Sequence, residues 1–112
     1  MSQRSEQLAE ILKREFNTFL IKDAEAPRDI FVTLTQVIMT DDLENALIQV
    51  SVLPVNKSGT ALEFLKKITP SALRYLGKHM VLRVLPRIRY QVDDFALKHR
   101  NVERALEADQ LD

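Results

Sequence analysis

The sequence predicts an α+β domain in which a three-stranded sheet packs against helices, and three observations carry that prediction. Apolar residues recur every three or four positions near the N-terminus. Two runs rich in β-branched residues follow, joined by a short, mostly polar connection. A helix-period stretch broken by a proline then leads to a third alternating run. The expected order is helix, strand, strand, helix, kink, helix, strand and a short C-terminal helix.

The first helix rests on Leu8, Ile11, Leu12, Phe16, Phe19 and Leu20, with Glu15 in the same stripe and Glu10, Lys13, Arg14 and Asn17 on the other face. Ser5 or a residue upstream supplies its N-cap. It should end between Asp23 and Pro27, because a proline biases the residue before it away from helix. Ile30 to Met39 is free of Gly and Pro and reads as a strand. Asp41 to Asn45 is a short polar connection, so the next strand, Ala46 to Leu53, should form an antiparallel hairpin with the first. Its Ala46, Ile48, Val50 and Val52 alternate with Leu47, Gln49, Ser51 and Leu53.

Turn chemistry over 54–59 precedes Thr60 and Glu63, which have the spacing of a capping box. The helix they open presents Ala61, Leu65, Ile68, Ala72 and Leu76. Pro70 falls inside it, removing a backbone hydrogen bond at a cost of about 3 kcal/mol in an unbroken helix, so a kink or division is expected at 68–71. Gly77 to Met80 ends this segment. Val81 to Val92 reads as the third strand, at an edge or bulged at Pro86, which cannot donate to a ladder. Phe95 to Leu106 should be a short helix capped by Asp93 or Asp94, followed by a frayed acidic tail over 105–112.

The 112 residues make one domain, 1–112, and its 46% apolar and 29% charged content is that of a soluble globule. Without cysteine there is no disulfide and no thiolate chemistry. No apolar run approaches the length of a membrane span and the N-terminus is too polar for a signal peptide, so a cytoplasmic location is expected.

The net charge is zero, but the charges are segregated. Residues 1–65 carry six Lys and Arg against ten Asp and Glu, residues 66–104 carry ten against three, and 105–112 add three acids. A neutral total therefore conceals a segment of +7 between two acidic ones, and a polyanion responds to the local field. Lys67, Arg74 and Lys78 fall on one helix face if the helix direction survives the proline. Arg83, Arg87 and Arg89 share the polar face of the third strand if no bulge shifts its register. Two adjacent basic stripes are what a phosphate backbone requires, although ordinary solvated faces would look the same.

Catalytic signals are weak. His79 and His99 lack metal-ligand spacing and a nearby nucleophile, and both read as structural or surface residues. Asp41-Asp42 and Asp93-Asp94 could hold magnesium, but adjacent carboxylates in turns more often face solvent or cap helices. Gly59 and Gly77 alone cannot build a phosphate-binding loop. Neither metal nor cofactor is expected. Tyr75 and Tyr90 are the only candidates for base stacking, and Tyr90 reads as core.

Several fragments, in order, resemble the ribosome-binding factor A family. They begin with Pro27-Arg28, Phe31-Val32-Thr33-Leu34-Thr35, Asp42-Leu43, Ala46 and Val50-Ser51-Val52-Leu53. They continue with Leu76-Gly77-Lys78, Leu82-Arg83, Pro86, Ile88, Tyr90 and Asp93. The resemblance spans nearly the whole chain and implies a type II KH-like domain. It also implies a monomeric, non-enzymatic factor that binds the immature small (30S) ribosomal subunit and its rRNA, supporting processing and late maturation, notably in the cold. The family's kink usually reads Ala-x-Gly where this chain has Ile68-Thr69-Pro70, and proline lacks glycine's backbone freedom.

The expected phosphate contacts are Lys66, Lys67, Arg74, Lys78, Arg83, Arg87 and Arg89, with Lys98, Arg100 and Arg104 secondary. Thr69, Pro70 and Ser71 are the expected positioning element. The alternative is a protein-interaction adaptor that contacts ribosomal proteins or another assembly factor through its acidic hairpin side.

Overall fold

The computed structural model describes residues 2–93. The helix expected over 95–106, the tail over 105–112, and Lys98, Arg100 and Arg104 lie outside those described residues.

Helix α1 runs from Gln3 to Lys22. Its cap is Ser2, whose hydroxyl accepts the Ser5 N–H at 3.1 Å. Ser5 itself sits one turn in, fully buried, and donates its hydroxyl to the Ser2 carbonyl at 2.9 Å. The helix stops where the Asp23 N–H bonds the Phe19 carbonyl, four residues before Pro27. Its inner face, Ala9, Leu12, Phe16 and Phe19, is buried, mainly against β1.

Strands β1 (Phe31–Met39) and β2 (Asn45–Leu53) form the expected antiparallel hairpin. The inward residues of β1 change parity, from Val32 and Leu34 to Val37 and Met39, and a register shift between Leu34 and Gln36 absorbs the change. One extra residue on this strand keeps both apolar pairs on the core side. In the turn, Leu43 has φ 63, a left-handed conformation unusual for a β-unbranched apolar residue. The Asp42 carboxylate stabilises it by accepting the Thr40 hydroxyl and the Glu44 N–H. Those two bonds, Thr40 first, hold the Asp42 pKa below its ordinary value.

A short 3-10 turn, Val55–Lys57, leads directly into helix α2, Ser58–His79. The capping box is therefore not formed. Thr60 lies already inside the first turn, and Ser58 donates its hydroxyl back to the Val55 carbonyl at 2.6 Å. The expected division at Pro70 is also absent, because the helix continues through the proline as one element. It returns the chain so that β3 (Arg87–Val92) lies parallel to β2, giving the order β1-β2-β3.

β3 is half as long as expected. It starts at Arg87, whose N–H donates to the Glu44 carbonyl at 2.7 Å and opens the ladder. Pro86, buried just before it, has no N–H to extend the pairing. Leu82 and Val84 consequently do not alternate across a sheet, and Val81, Val84 and Leu85 are exposed.

Both helices pack on one face of the sheet. Leu12, Phe16, Met39, Ile48, Val50, Leu65 and Leu76 are all but inaccessible to solvent there. Each such Leu is worth about 2–5 kcal/mol against truncation to Ala. Among the described residues no helix is long and apolar enough to cross a membrane.

Candidate nucleic-acid interface

Pro70 shapes the interface by what it removes. It has no N–H, so the Lys66 carbonyl one turn earlier loses its helical partner. At the adjacent position Thr69 donates its hydroxyl to the Leu65 carbonyl at 2.6 Å, reinforcing the turn beside the defect. The same oxygen lies 2.6 Å from the Tyr90 hydroxyl. A carbonyl can only accept, so the single Thr69 proton is committed to Leu65 and Tyr90 must donate to Thr69. This bond ties the middle of α2 to β3. Tyr90 also meets Phe16 edge-on at 6.4 Å, and burial pushes its pKa up to about 12.

Because α2 is continuous, Lys67, Arg74 and Lys78 do share one exposed face, with Ser71 among them. Arg74 Nη2 donates to Ser71 Oγ at 3.0 Å, which orients the guanidinium along that face. Lys66 points toward β3 instead. With Thr69, Ile88, Arg89 and Tyr90 it lines an open cleft of about 430 Å³. Arg87 and Arg89 are exposed on β3, paired with Asn45 and Leu47 of β2. Pro70 is exposed on the helix surface, between Lys67 and Arg74 in sequence.

Arg83 does not join them. It lies in the irregular segment before β3, in a depression beside the hairpin turn with Arg4, Asp41, Asp42 and Glu44. The expectation that it shares a strand face with Arg87 and Arg89 fails because pairing begins only after Pro86. The structure therefore separates an α2–β3 basic region from a mixed-charge corner at the turn.

Among the described residues the ion pairs are Lys13–Glu10 and Arg14–Glu15, each at 3.6 Å and each within α1. None engages Lys66, Lys67, Arg74, Lys78, Arg87 or Arg89. Although Glu25 and Glu63 share a depression with Lys67, among those residues the field of Lys66, Arg74, Lys78, Arg87 and Arg89 is open to a polyanion. The acidic pair at the turn is committed elsewhere. Asp41 accepts the Ser2 backbone N–H at 2.7 Å, and Asp42 holds the turn as described. Asp93 closes β3, its N–H donating to the Val50 carbonyl at 2.6 Å while its carboxylate accepts the Thr35 hydroxyl at 3.2 Å.

Sequence reasoning missed an aromatic stack. Tyr75 and His79 lie face to face at the end of α2, with ring centroids 3.9 Å apart and planes 18° apart. Their spacing of four residues on a helix was the available signal.

This sheet with both helices on one side is a KH-like fold. It matches the crystal structure of ribosome-binding factor A from Thermus thermophilus with a TM-score of 0.68 and 23% identity, over 79% of this chain and 93% of that one. A homology model of Thermus thermophilus ribosome-binding factor A, fitted into a cryo-EM map of a 30S–RbfA complex, matches with a TM-score of 0.66 and 22% identity, over 80% and 94% of the two chains. In sequence, ribosome-binding factor A of Desulfitobacterium hafniense is 37% identical over 91 residues, covering 80% of this chain and 73% of that protein. The family model for ribosome-binding factor A matches residues 4–106. The chain belongs to the ribosome-binding factor A family.

Proposed function

We propose that this chain is a non-catalytic, cytoplasmic assembly factor that binds the immature small ribosomal subunit as a monomer and supports its late maturation and rRNA processing. The observation that carries the reading is the run of cations, unpaired among the described residues, on the exposed face of α2 and along β3. Lys67, Arg74 and Lys78 contact phosphates from the helix, and Lys66, Arg87 and Arg89 do so from the cleft and the strand. Thr69, Pro70 and Ser71 position these groups, while Arg83, Lys98, Arg100 and Arg104 are secondary. Family membership supports the ribosomal part of the reading, as does the 30S complex of the Thermus thermophilus protein.

Sucrose-gradient fractionation of cell extract tests it. The protein should sediment with free small subunits and leave them as salt rises, whereas sedimentation only at the top of a low-salt gradient would contradict it. A second reading, an adaptor for ribosomal proteins or another assembly factor, has one observation of its own: Asp41, Asp42 and Glu44 cluster at the hairpin corner, apart from the basic region. A complex that survives RNase treatment with protein alone would favour that alternative.

A further inference from the structure

The stacked pair at the end of α2 terminates a ladder of rings that begins in the core. Phe16 meets Phe19 edge-on at 6.2 Å, Phe19 meets Tyr75 at 5.4 Å and 47°, and Tyr75 lies flat against His79. Phe16 and Phe19 are buried, Tyr75 is half-buried and His79 is exposed. The imidazole orientation is set as well as its position. His79 Nδ1 lies 2.8 Å from the Tyr75 carbonyl, which can only accept, so Nδ1 carries the proton and the ring is pinned by both a stack and a hydrogen bond. One face of the imidazole covers Tyr75. Its other face meets no further ring among the described residues.

A pinned, exposed aromatic face has lost its rotamer freedom before any ligand arrives, which lowers the cost of stacking on it. The neighbouring cations specify the ligand. Lys78 precedes His79 in the chain, and Arg74 lies one turn back, oriented by Ser71. Glu15 and Asp23 of α1 lie near Tyr75, each raising its pKa after the larger effect of desolvation. A polyanion carrying flat rings is therefore disfavoured on the Tyr75 side, near Glu15 and Asp23, and is left the outer face of His79.

We propose that the outer face of His79 is a stacking platform for one unpaired nucleobase of a single-stranded RNA segment whose phosphates are held by Lys78 and Arg74. The proposal rests on the RNA-binding reading above and adds a base contact to it. Stacking of this kind tolerates any base, because each has a π-face. It would anchor an unpaired nucleotide in a loop or at a helix end, where bases can be splayed out.

The test compares two probes, octaadenylate and the corresponding ribose-phosphate octamer without bases, on the full chain and on His79→Ala and His79→Phe. His79 is exposed and close to the helix end, so both variants should keep the wild-type circular dichroism. His79→Ala should weaken octaadenylate binding by about tenfold, leave the abasic octamer unaffected, and be rescued by His79→Phe. Octaadenylate binding unchanged in His79→Ala would overturn the platform while leaving the RNA reading standing. Equal losses on both probes would also overturn it, since no base would then be involved. If the wild-type chain binds neither probe, the platform and the RNA reading fall together.

Discussion

The hydroxyl of Tyr90 on β3 donates to that of Thr69 on α2 across 2.6 Å, beside the proline that interrupts the helix's hydrogen bonding. The bond joins the two elements that carry the basic region, so it sets their spacing. Its loss should be asymmetric. Tyr90→Phe leaves Thr69 still bonded to Leu65 and should cost about 0.5–1.5 kcal/mol, whereas Thr69→Val strands a buried phenol and should cost about 1–3 kcal/mol. Urea unfolding of both variants and of the double variant would measure the difference, and equal costs would argue against the assigned direction of donation.

Tyr90 also predicts an alkaline limit. Its pKa is raised from 10.0 to about 12 in the folded chain by burial. Between those values the unfolded chain has released a proton that the native chain still holds. Stability is therefore fully present below pH 10 and falls as pH rises through about 12, by roughly 2–3 kcal/mol in total. Tyr90→Phe should remove that part of the decline. Unfolding curves of wild type and variant that run parallel across this window would contradict the assignment.

Pro70 should be a net cost to stability. An interior proline costs about 3 kcal/mol in a helix, offset by the roughly 0.4–1 kcal/mol it removes from the unfolded chain's entropy. Pro70→Ala gives the Lys66 carbonyl its partner back and should stabilise the chain by about 2 kcal/mol, read from the urea midpoint. A destabilised variant would show that the helix needs its proline.

Asn17 is fixed by Leu34. Its side-chain amide donates to the Leu34 carbonyl at 3.2 Å while its oxygen accepts the Leu34 N–H at 3.0 Å, satisfying the outward groups of edge strand β1. Asn17→Ala leaves both without that partner and should cost about 1–3 kcal/mol. A denaturation midpoint unchanged by the substitution would mean that water replaces the amide at no cost.

Much of this arrangement was legible as periodicity. Alternation placed Ala46, Ile48, Val50 and Val52 inward, and the three- and four-residue repeat marked the buried stripe of α1. What failed was local chemistry overridden by neighbours. Thr60 and Glu63 have capping-box spacing, but the preceding 3-10 turn starts the helix before them. Pro70 predicts a kink or a division, and of these the division is absent, because Ala61, Leu65, Ala72 and Leu76 are buried on both sides of it and keep the helix one element. Arg83 fits an alternating pattern that Pro86 prevents from pairing. Asn17 looked like a solvent-facing residue because its partner is a backbone group distant in sequence, which no spacing rule reveals.

The central claim is that the exposed face of α2 meets RNA phosphates, and salt dependence tests it most directly. Binding of protein-free small-subunit rRNA should be measured over a series of salt concentrations for the wild type and for the combined Lys67→Glu, Arg74→Glu and Lys78→Glu variant. Each phosphate contact contributes about 0.7 to the slope of log K against log salt on single strands, so losing three should reduce that slope by about 2 and weaken binding at low salt. Arg83→Glu should lower the slope and the affinity far less than the triple variant does, since Arg83 is a secondary contact beside the acidic turn. A folded triple variant with wild-type slope and affinity would contradict the account.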